Sequence, residues 1–232
     1  MKLTVLGCNG PYPAAGGACS GYLLEAASAR VLLDCGTGTL AALTALMPPE
    51  ELDAVVLSHL HYDHMSDMLP LIYRMQGKGR LRVYAPQAPA EVCALLSGAF
   101  DVRDLEHAEH AGTLTLSVLP VRHPVPCFAV RCAAEGKSFC YTGDTNTCGG
   151  LADWARDCDL LLADACFTDA LWAENKPHIS ARLAAQAARE AGAKRLVLTH
   201  FTPGTDRQLL LSQAREVYPD AVLAHPGLTL EF

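Results

Sequence analysis

Between Val55 and Ile72 the chain reads VVLSHLHYDHMSDMLPLI, which crowds His59, His61, Asp63 and His64 together directly after an apolar run. Imidazole nitrogens and carboxylate oxygens are the donors that a borderline divalent metal takes. One such cluster supplies only half of a site, so the remaining donors must come from elsewhere. They appear singly: His123 in VRHPVP, Asp144 in YTGDT, His178 in NKPHIS and His200 in LTHFTP. Each follows a buried-looking strand or begins a loop. A rigid sheet fixes the direction of each donor while the loops leave room for a substrate, so this placement suits a metal site.

The elements that must hold these donors are short β-type runs: LTVL at Leu3, GYLLEA at Gly21, RVLLD at Arg30, AVVLS at Ala54, LRVYA at Leu81, LTLSVLPV at Leu114, FAVRCA at Phe128, SFCYTG at Ser138, DLLLAD at Asp159 and RLVLTH at Arg195. Several end on Asp, His or Ser. Helical patterns lie between them. In SARLAAQAAREAGAK, Ser180 can cap the helix and Gly192 can end it; TDRQLLLSQAREVY and AEVCALLSG are others. Strands with hairpins dominate the first half, and strand and helix alternate in the second. The pattern predicts a layered α/β architecture with mixed sheets rather than a simple doubly wound sheet.

At 232 residues, 50% of them hydrophobic, the chain can fill a sizeable core, and one domain over residues 1–232 is expected. Eighteen basic against 25 acidic residues give a net charge of −7, the wrong sign for broad adhesion to nucleic acid. The ten cysteines are scattered without a CxxC pair and read as reduced thiols of a cytoplasmic protein. No export signal or membrane span is expected, since no segment approaches 18 uninterrupted apolar residues.

HLHYDH followed by single His, Asp and His residues at strand ends resembles the metallo-β-lactamase superfamily. The resemblance spans nearly the whole chain. The opening TVLGCNGPYPAAGGACSGYLLE, then VLLDCGTGT, YTGDT and KPHISARLAAQAAREAGAKRLVLTHFTP together look like its ribonuclease Z-like branch. What the resemblance implies is a four-layer αββα sandwich with two mixed β-sheets flanked by helices. It further implies that His59, His61 and His123 hold one metal, that Asp63, His64 and His200 hold a second, and that Asp144 bridges them. Seven nitrogen and oxygen ligands with one shared carboxylate suit two zinc ions, and manganese or iron also fits the ligand types. Asp34, in LLDCG, is either an acceptor for a ligand histidine or simply the end of a strand. His107, His110 and His225 lie outside every motif; EHAEHAG reads as a solvated turn, and AHPG departs from the acidic residue that relatives often carry there.

The reaction so implied is in-line attack on a phosphodiester by a hydroxide activated between two metals, with His178 protonating the leaving oxygen and Asp63 orienting its ring. Between HPVPCFAVRC and FCYTGDT there is only AAEGKS, where ribonuclease Z carries a long insertion that grips transfer RNA. A small or cyclic phosphodiester is therefore the expected substrate, with no stable nucleic-acid partner and no membrane. The sequence is compatible with a homodimer. Three alternatives stand beside this reading: a ribonuclease Z-type endonuclease, a lactone or thioester hydrolase on the same metal site, and, least favoured, a non-enzymatic metal-stabilised nucleotide-binding module.

Overall fold

The computed structural model describes residues 1–26 and 28–232. In the first sheet lie β1 (Lys2–Gly7), β2 (Gly21–Ala26), β3 (Ala29–Leu33), β4 (Ala54–Val56), β5 (Arg82–Ala85) and β6 (Asp101–Asp104). The second sheet holds β7 (His110–Ala111), β8 (Leu114–Pro120), β9 (Phe128–Ala134), β10 (Lys137–Tyr141), β11 (Leu160–Asp164), β12 (Leu196–Thr199) and β13 (Val222–Leu223). The chain then returns to the first sheet as β14 (Thr229–Glu231). The spatial orders are β14-β1-β2-β3-β4-β5-β6 and β13-β12-β11-β10-β9-β8-β7. Both sheets are mixed: β3 to β6 pair in parallel, as do β10 to β13, and the other pairings are antiparallel.

Alternation along the strands builds the layers. Leu3, Val5, Tyr22, Leu24, Val31 and Leu33 face the second sheet and pack with Leu116, Val130, Phe139 and Tyr141. The intervening Leu23, Leu32, Val55 and Val83 face outward and are covered by Leu43, Met68, Leu71 and Leu96. These come from α1 (Thr39–Thr44), α3 (Met68–Arg74) and α4 (Ala90–Ser97), with α2 (Tyr62–Met65) running into α3. On the far side α5 (Leu151–Trp154), α6 (Ala181–Glu190) and α7 (Arg207–Arg215) cover the second sheet. Helix α6 buries Ala181, Ala184, Ala185 and Ala188, a stripe of small side chains that lets it lie close to the strands. Strands buried on both faces read as near-continuous apolar runs, which is why they stand out in the sequence. The result is the expected four-layer αββα sandwich.

One local expectation is adjusted and another is met. The segment around His107 and His110 is not only a turn: His110 and Ala111 pair with Thr115 and Leu114, and Gly112 at φ +59 allows the reversal between them. Both histidines remain exposed. The interval between β9 and β10 is the predicted tight turn, with Glu135 at φ +52 and Gly136 at φ +74 as its two central residues.

All ten cysteines are free thiols. Among the described residues no helix is long and apolar enough to cross a membrane.

Strands β3 and β4 in the first sheet, and β8, β10, β11 and β12 in the second, bring their carboxyl ends to one edge of the sandwich. Asp34 follows β3, Ser58 and His59 follow β4, and His123 lies in the loop after β8. Asp144 lies just past β10, Asp164 ends β11, and His200 follows β12 directly.

Candidate metal centre

The histidines are aimed from behind. Asp34, fully buried and at φ +57, accepts from the Ser58 backbone N–H at 2.7 Å, the Ser58 hydroxyl at 2.9 Å and the Tyr141 hydroxyl at 2.8 Å. It also takes the Nδ1 hydrogen of His64 at 2.7 Å, which leaves Nε2 of His64 facing the centre. Asp34 is thus an acceptor for a centre histidine, not merely a strand end. His123 is turned in the same way, its Nδ1 donating to the Pro177 carbonyl at 3.2 Å. His200 adopts φ +62, and a Cβ on Gly10 would fall 1.9 Å from its Cε1, so only glycine leaves room for this ring.

The side chains converge in two groups. His59, His61 and His123 form the first, and Asp63, His64, Asp144 and His200 the second; within each, the donor atoms all lie within 4.8 Å of one another. In the first, Nδ1 of His61 is 3.1 Å from Nε2 of both His59 and His123. Neutral imidazoles so arranged cannot all donate to one another, whereas a cation among them would engage every lone pair. Asp144 links the groups, with Oδ2 at 2.9 Å from His200 Nε2, 3.2 Å from His64 Nε2 and 3.6 Å from His59 Nε2. Its other oxygen, Oδ1, is buried with no hydrogen-bond partner. An orphaned carboxylate oxygen between two histidine-rich groups is what a shared metal ligand leaves when only protein atoms are considered. The donor set therefore fits divalent ions.

For the first group and for Asp144, electrostatics favour the same use. Burial pushes His59 well below the ordinary imidazole range and lowers His61 and His123, so all three offer neutral nitrogens at neutral pH, the form that ligates. Burial alone would raise Asp144, but the imidazoles of His200 and His64 outweigh it and hold the carboxyl well below its usual range.

His178 sits at the rim, its ring centroid 5.5 Å from that of His123 and 4.8 Å from that of His200. Its orienting partner differs from the expected one. Asp63 turns Oδ2 toward His200 Nε2 at 3.3 Å and His64 Nε2 at 3.5 Å, whereas His178 Nδ1 lies 2.7 Å from Oδ2 of Asp164. The reason is topological: Asp63 stands on α2 beside the first sheet, and the loop bearing His178 folds back over the end of β11. Asp164 is fully buried and pinned by the backbone N–H groups of Thr145 and Cys166, each at 3.1 Å.

Compared with known protein families, residues 29–201 match the beta-lactamase superfamily domain. The chain belongs to the metallo-β-lactamase superfamily. It is 34% identical over 243 residues to "Probable metallo-hydrolase YhfI" of Bacillus subtilis (strain 168), covering 100% of both chains. The crystal structure of that metallo-β-lactamase fold protein superposes with a TM-score of 0.93 at 32% identity, covering 100% of this chain and 99% of the other. A ribonuclease Z of Methanopyrus kandleri is 30% identical over 280 residues, covering 98% of this chain and 96% of that protein. These relatives agree with the ribonuclease Z-like branch of the superfamily.

Among the residues of this metallo-β-lactamase scaffold that escaped the sequence reading is Asn146. Two positions past Asp144 and fully buried, it faces three carbonyls with its amide: Ala173 at 3.0 Å, Glu174 at 3.3 Å and Lys176 at 2.7 Å. Its own oxygen accepts from Trp172 Nε1 at 2.9 Å and from the Thr147 N–H at 2.7 Å. The side chain thereby ties down the loop that leads into His178. The available signal was its place directly after GDT, where a polar residue can reach across the opening. Asn146→Ala should leave metal content intact while slowing turnover by about 10- to 100-fold, the usual cost of losing a supporting hydrogen-bond partner. Elemental analysis alongside kcat measurements checks both halves.

Proposed function

We propose that this protein is a metal-dependent phosphodiesterase acting on a small or cyclic phosphodiester. The observation that carries the reading is the His178–Asp164 pair beside the two donor groups. His59, His61 and His123 would hold one ion, Asp63, His64 and His200 another, with Asp144 shared. Two such ions, zinc foremost, would supply a nucleophile at neutral pH and neutralise charge developing on the phosphoryl oxygens.

The remaining chemistry belongs to the chain's own groups. Displacing an alkoxide from phosphorus needs a proton on the leaving oxygen. His178 can deliver one from Nε2, because Nδ1 is committed to Asp164. Burial alone would disfavour the charged ring, but the charge and hydrogen bond of Asp164, aided by Asp144, overcome this and push His178 up to about 9. A raised value means the proton is held below that pH, so the donor form is present at neutrality. Asp164 also keeps the ring oriented, the role that the resemblance implies for Asp63.

Substrate size follows from what the surface lacks. Strands β9 and β10 are joined by two residues with no arm between them, and the net charge is −7. The alignment to the Methanopyrus ribonuclease Z runs to 280 positions although this chain has 232, which supports extra segments in that enzyme. A large RNA would have few cationic groups to displace counterions here.

The test is a panel of cyclic nucleotides, short linear diesters, lactones, thioesters and precursor transfer RNA, assayed with the zinc-loaded protein. Turnover should concentrate on a small diester. Precursor cleavage at a matching rate, or tight RNA binding with a steep salt slope, would return the protein to the endonuclease class. Lactone or thioester hydrolysis that survives loss of His178 would place it among the other hydrolases.

A further inference from the structure

Cys166 stands two residues past the aspartate that holds His178 and belongs to neither donor group described above. The residue is 4% exposed, and its Sγ lies 3.2 Å from the Thr202 hydroxyl. With His178 and His200 it makes a third group whose donor atoms all lie within 4.8 Å of one another. His178 is already arranged as a ligand, since Asp164 occupies Nδ1 at 2.7 Å and leaves Nε2 free. A carboxylate behind an imidazole is the usual backing of a metal-bound histidine. A second observation concerns His200, whose Nδ1 is buried without any hydrogen-bond partner although Nε2 lies 2.9 Å from Asp144.

One thiol and two imidazoles form a softer donor set than the nitrogen and oxygen ligands of the main centre. We propose that Cys166, His178 and His200 form an inhibitory site for a thiophilic divalent ion, cadmium or excess zinc, which shares His200 with the hydrolytic centre. On binding, the Cys166 S–H, His178 Nε2–H and His200 Nδ1–H bonds break and the three protons leave to solvent, so that His200 offers a lone pair on each ring nitrogen. Sulfur and nitrogen bonds to the ion replace them, and nothing is oxidised or reduced. With its Nε2 lone pair engaged, His178 can no longer protonate a leaving group. A thiol beside two imidazoles selects strong sulfur binders over magnesium or manganese.

Binding stands on the geometry alone, whereas inhibition rests on His178 being the proton donor. Cadmium chloride is titrated into the zinc-loaded protein, with the ultraviolet charge-transfer absorbance of a sulfur–cadmium bond followed throughout. Resident zinc is counted by elemental analysis after desalting, and diester hydrolysis is assayed in parallel. The band should saturate with one further ion bound and resident zinc retained. In Cys166→Ser the band should vanish, and the cadmium concentration that halves the protein's own cadmium-free rate should rise more than about tenfold. His178→Ala, which keeps the thiol, should retain the band but require more than about tenfold higher cadmium to reach it. An undiminished band in Cys166→Ser, or cadmium uptake that only exchanges with resident zinc, overturns the site. A Cys166-dependent band in a protein that hydrolyses no diester would keep the site and remove the phosphodiesterase reading. Hydrolysis without the band would do the reverse.

Discussion

Asp144→Ala should lose metal from both donor groups, not one. The purified wild-type protein is expected to carry about two transition-metal ions per chain. Among the described residues, Asp144 is the one side chain whose oxygen approaches histidines of both groups, at 3.6 Å from His59 on one side and at 2.9 Å and 3.2 Å from His200 and His64 on the other. Its loss removes a ligand and also the negative charge that offsets two cations in a closed space. Occupancy should drop toward zero under conditions in which His123→Ala loses about one ion, since His123 belongs to the first group alone. The conservative Asp144→Asn keeps one carbonyl oxygen and should fall between. Elemental analysis after purification without chelator measures all four proteins. Wild-type content near zero, or loss of a single ion from Asp144→Ala, would rule out the shared-ligand role.

The parts of this centre that could be read from sequence are those whose geometry is local. His59 and His61 lie in the turn after β4, and Asp63 and His64 in the short α2 that follows directly, so spacing alone brings them together. His123, Asp144 and His200 were legible because each follows an apolar strand, and strand ends of one sandwich edge meet. What could not be read is which carboxylate faces which ring across separate loops. DLLLAD announced Asp164 as the end of a strand, yet its pairing with His178 depends on how the intervening loop folds back, and Asp63 was the partner suggested by resemblance. Asn146 and Cys166 escaped for the same reason, since their partners lie in segments 26 to 36 residues away.

The fold divides along similar lines. Strands buried on both faces appear as apolar runs, while β6, β13 and β14, short and at least partly exposed, carry no such signature. Helices α2 and α3 were hidden because the first turn is filled with centre residues and Pro70 enters the second. A proline there is tolerated, since the first turn of a helix has no N–H bond to lose.

His178→Ala should separate phosphodiester chemistry from the other reactions that such a centre can run. A general acid contributes about 10²- to 10⁴-fold in rate, so turnover of a diester with a poor alkoxide leaving group should fall by about that factor. With a nitrophenolate leaving group, which departs with little help, the penalty should shrink to about tenfold or less. Resident metal content should not change, because the ring belongs to neither ligand set of the hydrolytic centre and serves only the cadmium site beside it. Asp164→Asn gives a finer version of the experiment. It keeps the shape behind the ring and removes the charge that sustains the raised pKa of His178. The fall in activity toward the alkaline side should therefore move to lower pH for the alkoxide substrate, while the nitrophenolate profile keeps its position. His64→Ala is the contrasting variant, expected to lose metal and both activities together. Equal losses on the two diesters in His178→Ala, or loss of metal, would make His178 a ligand or a structural residue instead of the proton donor.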